Sequence, residues 1–245
     1  MGNGNRKDAV RRLVIVPAWN EQAVIADTLV EIQRATPELD ILVVDDGSTD
    51  TTPARVEALG VPILQLPFNL GVGGAMRAGY EYARRYGYDQ AIQVDADGQH
   101  DPDDIPRLLA GLDRADICIG ARFAGRGDYQ ARGPRKWAMS VLARIVSGLA
   151  HTRLTDITSG FRAGNRRAIE QYCRHYPAEY LGDTVDSLVG AIRSGLSVTQ
   201  EPVEMRPRQA GQPSHNPFRA ALYLARAMVA LGLALTRRSR RADGA

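Results

Sequence analysis

Short apolar runs alternate with stretches of helical periodicity along the first half of the chain. Leu13-Val14-Ile15-Val16, stopped by Pro17, predicts a buried strand, and residues 41–44, 61–66, 91–94 and 117–119 predict further ones. After the first run, Ile25, Leu29 and Ile32 recur at helical spacing, and Asn20 is expected to cap that helix. A second helix follows the polar turn 45–50, with Pro53 in its first turn. A third opens at the glycine-rich loop 69–74 and runs to about Tyr86, and Asp101-Pro102 reads as an N-cap followed by proline at the first helical position. Strands alternating with helices imply right-handed βαβ units and a parallel sheet, and strands apolar throughout imply that both faces are covered. Beyond about residue 121 the pattern turns to basic helices, with one more strand within 196–205 and a terminal helix near 217–236. The expected organisation is a flexible N-terminus (1–8), one α/β domain (9–215) and an amphipathic helix with a basic tail (216–245).

Composition narrows the class. A chain of 245 residues with 44% hydrophobic and 24% charged residues is long enough for one sizeable core and is not disordered in bulk. The net charge of +3 does not argue for nucleic acid. Its distribution is more informative: basic residues thicken from Arg122 and end in Arg237-Arg238-Ser239-Arg240-Arg241, beside an apolar stretch. That juxtaposition favours an anionic lipid or phosphate surface, and no aromatic-interleaved basic patch of the RNA-binding type is present. The apolar stretch 220–235 is shorter than the roughly 20 residues of a membrane span and is broken by Arg226, so an interfacial helix is expected. A second apolar stripe, Trp137, Leu142, Ile145, Val146 and Leu149 beside Lys136 and Arg144, suits a membrane-facing helix or a core-facing one equally. No long apolar segment opens the chain, so no signal peptide is expected, and the compartment reads as cytoplasm or the cytoplasmic face of a membrane. Two cysteines cannot build a disulfide framework, and the four histidines lack zinc-site spacing.

The chemistry concentrates at Gln93-Val94-Asp95-Ala96-Asp97-Gly98-Gln99-His100. Residues at i and i+2 of an extended chain project to one side, so Asp95 and Asp97 can converge on a cation at the carboxyl end of a strand. Oxygen ligands suit Mg²⁺ or Mn²⁺, ions that keep positions open for water and substrate phosphates. The loop Gly71-Val72-Gly73-Gly74 fails the dinucleotide fingerprint, and neither a P-loop nor a G-x-S-x-G elbow occurs. What remains is a metal-held diphosphate.

The motifs Pro17-Ala18-Trp19-Asn20-Glu21, Asp45-Asp46-Gly47-Ser48-Thr49-Asp50, Asn69-Leu70-Gly71, Asp95-Ala96-Asp97-Gly98-Gln99-His100 and Asp156-Ile157-Thr158-Ser159-Gly160-Phe161-Arg162 follow one another in this order. Together they resemble an inverting family 2 glycosyltransferase of GT-A fold, a Rossmann-like, mostly parallel sheet flanked by helices. The branch is that of dolichol-phosphate mannosyltransferase and bacterial polyprenyl-phosphate enzymes. The resemblance implies that Pro17, Ala18, Asn20, Glu21 and Gly71 belong to the nucleotide-sugar site with Asp95 and Ala96, and that Asp46 or Asp45 accepts a hydrogen bond from the base. It implies Asp95, Asp97 and Gln99 as metal ligands, Arg122 and Arg208 as phosphate contacts, and Ser159, Arg162 and Ser214 on the acceptor side. Arg132 and Lys136 would meet the lipid phosphate. Asp186 falls where the branch carries an acid, either a base or a structural group. The expected reaction moves a sugar from a UDP- or GDP-sugar to polyprenyl phosphate, the alternative acceptor being a saccharide hydroxyl. Peripheral membrane contact, with a small membrane-protein partner or a homo-oligomer supplying anchorage, completes the expectation.

Overall fold

The computed structural model describes residues 10–122, 134–177 and 183–206. Strands β1 (Arg12–Ala18), β2 (Asp40–Asp45), β3 (Ile63–Gln65), β4 (Gln90–Gln93), β5 (Ile117–Ala121), β6 (Arg162–Asn165) and β7 (Val198–Pro202) form a seven-stranded sheet in the order β3-β2-β1-β4-β6-β5-β7. Every neighbouring pair is parallel except those of β6, which runs antiparallel to both β4 and β5.

Alternation along the strands divides the apolar side chains between two layers. Leu13, Ile15, Leu42 and Val44 face a cluster shared with α3 (Gly71–Arg85), α5 (Pro134–Ala150), α6 (Arg166–Arg174) and α7 (Asp183–Arg193). Val14, Val16, Ile41 and Val43 face the opposite cluster, with α1 (Ile25–Ala35), α2 (Thr52–Ala58) and α4 (Ile105–Gly111). Each fully buried Leu, Ile or Val on these faces contributes about 1.5–3 kcal/mol relative to exposure, so the three-layer arrangement follows from the strands being apolar on both sides.

Several sequence expectations shift. The cap expected at Asn20 is not made: α1 starts at Ile25, and Asn20 takes a left-handed backbone (φ 54°) to reach the loop after β2. The strand expected within 196–205 is confined to β7, followed by a bridge between Met205 and His100. The α5 stripe is a core stripe, with Leu142 and Val146 buried, Leu149 packed beside them, and Ile145 at the surface next to Arg144. Among the described residues, no helix is long and apolar enough to cross a membrane.

The fold positions the site through one change of direction. The chain builds β1, β2 and β3 outward, then returns to lay β4 on the other side of β1. Such a switch point leaves a crevice at the carboxyl ends of the strands, where ligands of open α/β sheets bind. The loops after β1, β2 and β4 all open there. A depression of about 430 Å³ between Gln33, Asp40, Pro62 and Tyr88 lies at the amino-terminal ends of β1–β3, away from these loops.

Candidate active site

The loops after β1 and β2 are stitched together by side chains. Thr49 donates its backbone N–H to Asn20 Oδ1 (2.8 Å), and Asn20 donates its own to Ser48 Oγ (2.9 Å). Glu21 N–H reaches Thr52 Oγ1, and Thr51 donates through N–H and hydroxyl to Gln22 Oε1. Asp50 accepts from Thr52 and Gln22, so it opens α2 and joins the clamp at once.

Within this clamp Asp45 and Asp46 take different tasks, although both are buried. Asp46 Oδ1 accepts the Leu70 N–H at 2.7 Å, tying β2 to the start of α3. Burial pushes its carboxyl above the ordinary value, against the Leu70 and Gly71 N–H groups that pull it down, while neighbouring Asp45 adds to the rise. Asp45 accepts Ser48 N–H at Oδ2 and has no hydrogen-bond partner at Oδ1. A buried carboxylate oxygen without a donor is costly unless a ligand supplies one. Of the two aspartates, Asp45 is therefore the one that leaves a buried acceptor open. Gly71 (φ 81°) begins α3 with its N–H on Asn69 Oδ1, and exposed Trp19 and Phe68 stand on the flanking loops.

The β4 loop is built to hold Asp95. Gln93 donates from Nε2 to Asp95 Oδ1 (2.9 Å), and Asp95 N–H donates to His100 Nδ1 (3.0 Å). Thr28 of α1 donates its hydroxyl to the carbonyl of Ala96, and Gln99 N–H closes a turn on Asp97 Oδ1 across Gly98 (φ 72°). Gly160 presses on the loop from the other side: a Cβ there would stand 2.9 Å from Gln93 Nε2 and 3.0 Å from Asp95 Oδ2. Arg206 fastens the edge, its N–H on the Gln99 carbonyl and its guanidinium on Glu31 and Asp101. Gln93, Thr28 and His100 were not singled out as site residues from the sequence. The available signal was a polar residue inside an apolar strand, two positions before Asp95, and a histidine closing the same motif.

Among the described residues no three His, Cys, Asp or Glu side chains gather to hold an ion unaided. Two carboxylates and the Gln99 amide still suit Mg²⁺ or Mn²⁺, because such ions take their remaining ligands from diphosphate and water. The donor set therefore fits a metal that arrives with its nucleotide.

The acceptor-side loop corrects several expectations. Arg122 donates from Nε and Nη2 to Asp156 (2.5 and 2.9 Å) and from Nη2 to Thr158 Oγ1. Burial alone would raise the Asp156 carboxyl, but the bonds and charge of Arg122, with Thr158, outweigh it and hold the carboxyl below the usual range. Arg122 thus anchors this loop and is not an arm extended toward phosphate. Arg162 is only 2% exposed and donates to the carbonyls of Ser159, Ile157 and Thr184, while buried Ser159 accepts Phe161 N–H. These two residues, expected to offer donors to an acceptor phosphate, shape the loop instead, since buried polar groups must be satisfied internally. Asp186 is exposed on the first turns of α7, where Thr184 joins Arg162. Arg132, Arg208, Ser214 and residues 216–245 lie outside the described residues, as does the side chain of Lys136.

A mostly parallel sheet with a two-loop clamp after β1 and β2 and a paired-carboxylate loop after β4 defines a glycosyltransferase of GT-A fold. The chain belongs to glycosyl transferase family 2, whose model matches residues 13–173. It is 35% identical over 215 residues to the undecaprenyl-phosphate mannosyltransferase of Micrococcus luteus, covering 83% of this chain and 86% of that protein. It is 32% identical over 219 residues to the polyprenol monophosphomannose synthase of Mycolicibacterium smegmatis, covering 82% and 79%. Its fold matches glucosyl-3-phosphoglycerate synthase from Mycobacterium tuberculosis, solved with Mn²⁺, UDP and phosphoglyceric acid (TM-score 0.69, 20% identity, 95% and 81% covered). At that identity the likeness is one of fold.

Proposed function

We propose that this enzyme transfers a sugar, with inversion, from a nucleotide diphosphate donor to polyprenyl phosphate, and that Asp95, Asp97 and Gln99 hold Mg²⁺ or Mn²⁺ against the donor diphosphate. The observation that carries the donor half is the unpartnered Asp45 Oδ1 at the end of β2, on the same edge as the braced Asp95 carboxylate after β4. A base imide N–H satisfies Asp45, while the clamp between Asn20 and Thr49 fixes the pocket wall. When bound, the metal neutralises the diphosphate as the leaving nucleotide gains charge. The acceptor half is supported by the two mannosyltransferase relatives, and mannose is the first sugar to test.

A phosphate monoester is largely dianionic near pH 7, its second pKa being about 6 by analogy with phosphorylated side chains. Its oxygen can form the new bond to the anomeric carbon as the bond to the diphosphate oxygen breaks, without a protein base. The chain's part is then positioning: Asp45 orients the base, and Arg122, paired with Asp156, holds the loop beside the end of β5. Exposed Asp186 is not required as a base. The apolar stretch 220–235 and the arginine run after it would bring the enzyme to the bilayer that holds its acceptor.

Incubation with labelled nucleotide sugars, polyprenyl phosphate and Mg²⁺ or Mn²⁺ tests the reading. Organic-extractable label is expected; label appearing only in a water-soluble saccharide or phosphoglycerate product would overturn the acceptor. Asp97→Ala is expected to abolish nearly all transfer, and Asp186→Asn to retain measurable transfer. Equal and complete loss in both would refute phosphate as an unassisted nucleophile.

A further inference from the structure

We infer that His100 is a positioning residue that presents Asp95 to the metal, an inference that rests on the reading of Asp95 as a metal-holding carboxylate. His100 is 3% exposed, and its ring is held on one face and at its edge. One face stacks on Phe161 at 4.7 Å between centroids and 13° between planes. The backbone of His100 pairs with Met205, which ties the ring's own strand position to the segment that leads into residues 207–245. At the edge, Nδ1 accepts the Asp95 N–H at 3.0 Å. Accepting at Nδ1 places the proton of the neutral ring on Nε2, and Nε2 stands 3.6 Å from Asp95 Oδ2.

The ring therefore holds Asp95 at its backbone and lies close to its carboxylate. The 3.6 Å separation is too long for a hydrogen bond, so the ring acts on Asp95 through the bond it accepts from the Asp95 N–H. Gln93 faces the other oxygen, Oδ1, from Nε2 at 2.9 Å. Gly160, with no side chain, packs close against both Gln93 Nε2 and the Asp95 carboxylate. Asp95 is thus fixed at its N–H by His100 and at Oδ1 by Gln93, and its carboxylate keeps lone pairs for a cation. Outer partners that orient metal ligands typically alter metal affinity by about 10–100-fold when removed.

Two substitutions separate positioning from packing. His100→Asn keeps an acceptor near the place of Nδ1 but loses the stacked ring. His100→Phe keeps a ring on Phe161 but has neither acceptor nor N–H. The readouts are Mn²⁺ affinity by electron paramagnetic resonance with UDP or GDP present, and thermal unfolding of the same samples. Expected are an affinity loss of about 10–100-fold in His100→Phe and near-wild-type affinity in His100→Asn, whatever the order of their melting temperatures. Wild-type affinity in His100→Phe overturns the inference, and so does a tenfold or greater loss in His100→Asn, which stands as a test even if His100→Phe does not fold. In either case the wild type still binds Mn²⁺ with nucleotide and the proposed function survives. A wild type that retains no Mn²⁺ with either nucleotide overturns the metal-holding reading of Asp95 and this inference together.

Discussion

At the scale of single residues, adjacent groups of the same type divide the work by what surrounds them. Asp45 and Asp46 are neighbours in one motif, yet one secures a helix start and the other keeps an acceptor open. Asp46→Ala should cost about 0.5–2 kcal/mol of stability, as the loss of a helix-start acceptor does, in denaturant unfolding. Asp45→Asn should unfold almost as the wild type does but raise the donor KM by about 10–100-fold, the equivalent of one hydrogen bond to a charged acceptor. Gly160 gives a complementary case. A Cβ there meets only the ends of the Gln93 and Asp95 side chains, which can move aside cheaply. Gly160→Ala should therefore leave the melting temperature almost unchanged while raising the Mn²⁺ requirement for transfer by about tenfold or more. The motifs are legible in the sequence, but not which aspartate bonds to what. That division depends on Leu70 N–H arriving from another loop, and spacing within a motif carries no record of it. The inward turn of Arg162 and Ser159 is illegible for the same reason: a polar residue in a motif reads as exposed until its burial is known.

At the scale of elements, the strands with continuous apolar runs were legible because burial on both faces is written into each residue. β6 was not. Arg162-Ala163-Gly164-Asn165 lacks β-branched or large apolar residues, and it is a strand only because β4 and β5 each supply a ladder for it. The α5 stripe was legible as a stripe but not as core, since periodicity does not name the surface a helix faces. The loop before β6 depends on the buried pair of Arg122 with Asp156. Arg122→Met leaves that carboxylate unpaired and should destabilise the fold by about 3–5 kcal/mol. The pH dependence follows from the lowered Asp156 carboxyl. A carboxylate depressed in the folded state contributes its stability above its unfolded value, near 3.9, and loses it as pH falls through the folded value. Asp116, held low against its own burial by Ser197, Asn165 and Arg167, acts in the same direction. Melting temperature should thus fall steeply below about pH 4, and Asp156→Asn, less stable at neutral pH, should show a shallower fall over that range in scanning calorimetry.

At the scale of the whole molecule, two halves of different origin in the chain meet at one sheet edge. The clamp and the paired-carboxylate loop follow β1, β2 and β4, while the loop expected on the acceptor side leads into a strand of opposite direction inserted between β4 and β5. The register places Gln93 directly across from Arg162. Side chains of such a pair share one face of the sheet, so the residue bracing Asp95 and the residue bracing the 157–161 loop are next-door neighbours. A double-mutant cycle on Gln93→Leu and Arg162→Met, read by kcat/KM, should give a coupling of about 0.5–3 kcal/mol, where distant sites would add. The consequence is for evolution and for engineering alike. On the proposed function, donor and acceptor handling share this rung and should not exchange one at a time. A lineage or a library that alters the 157–161 loop alone is expected to disturb the brace on Asp95, and productive variants should appear as paired changes across that single rung of the sheet.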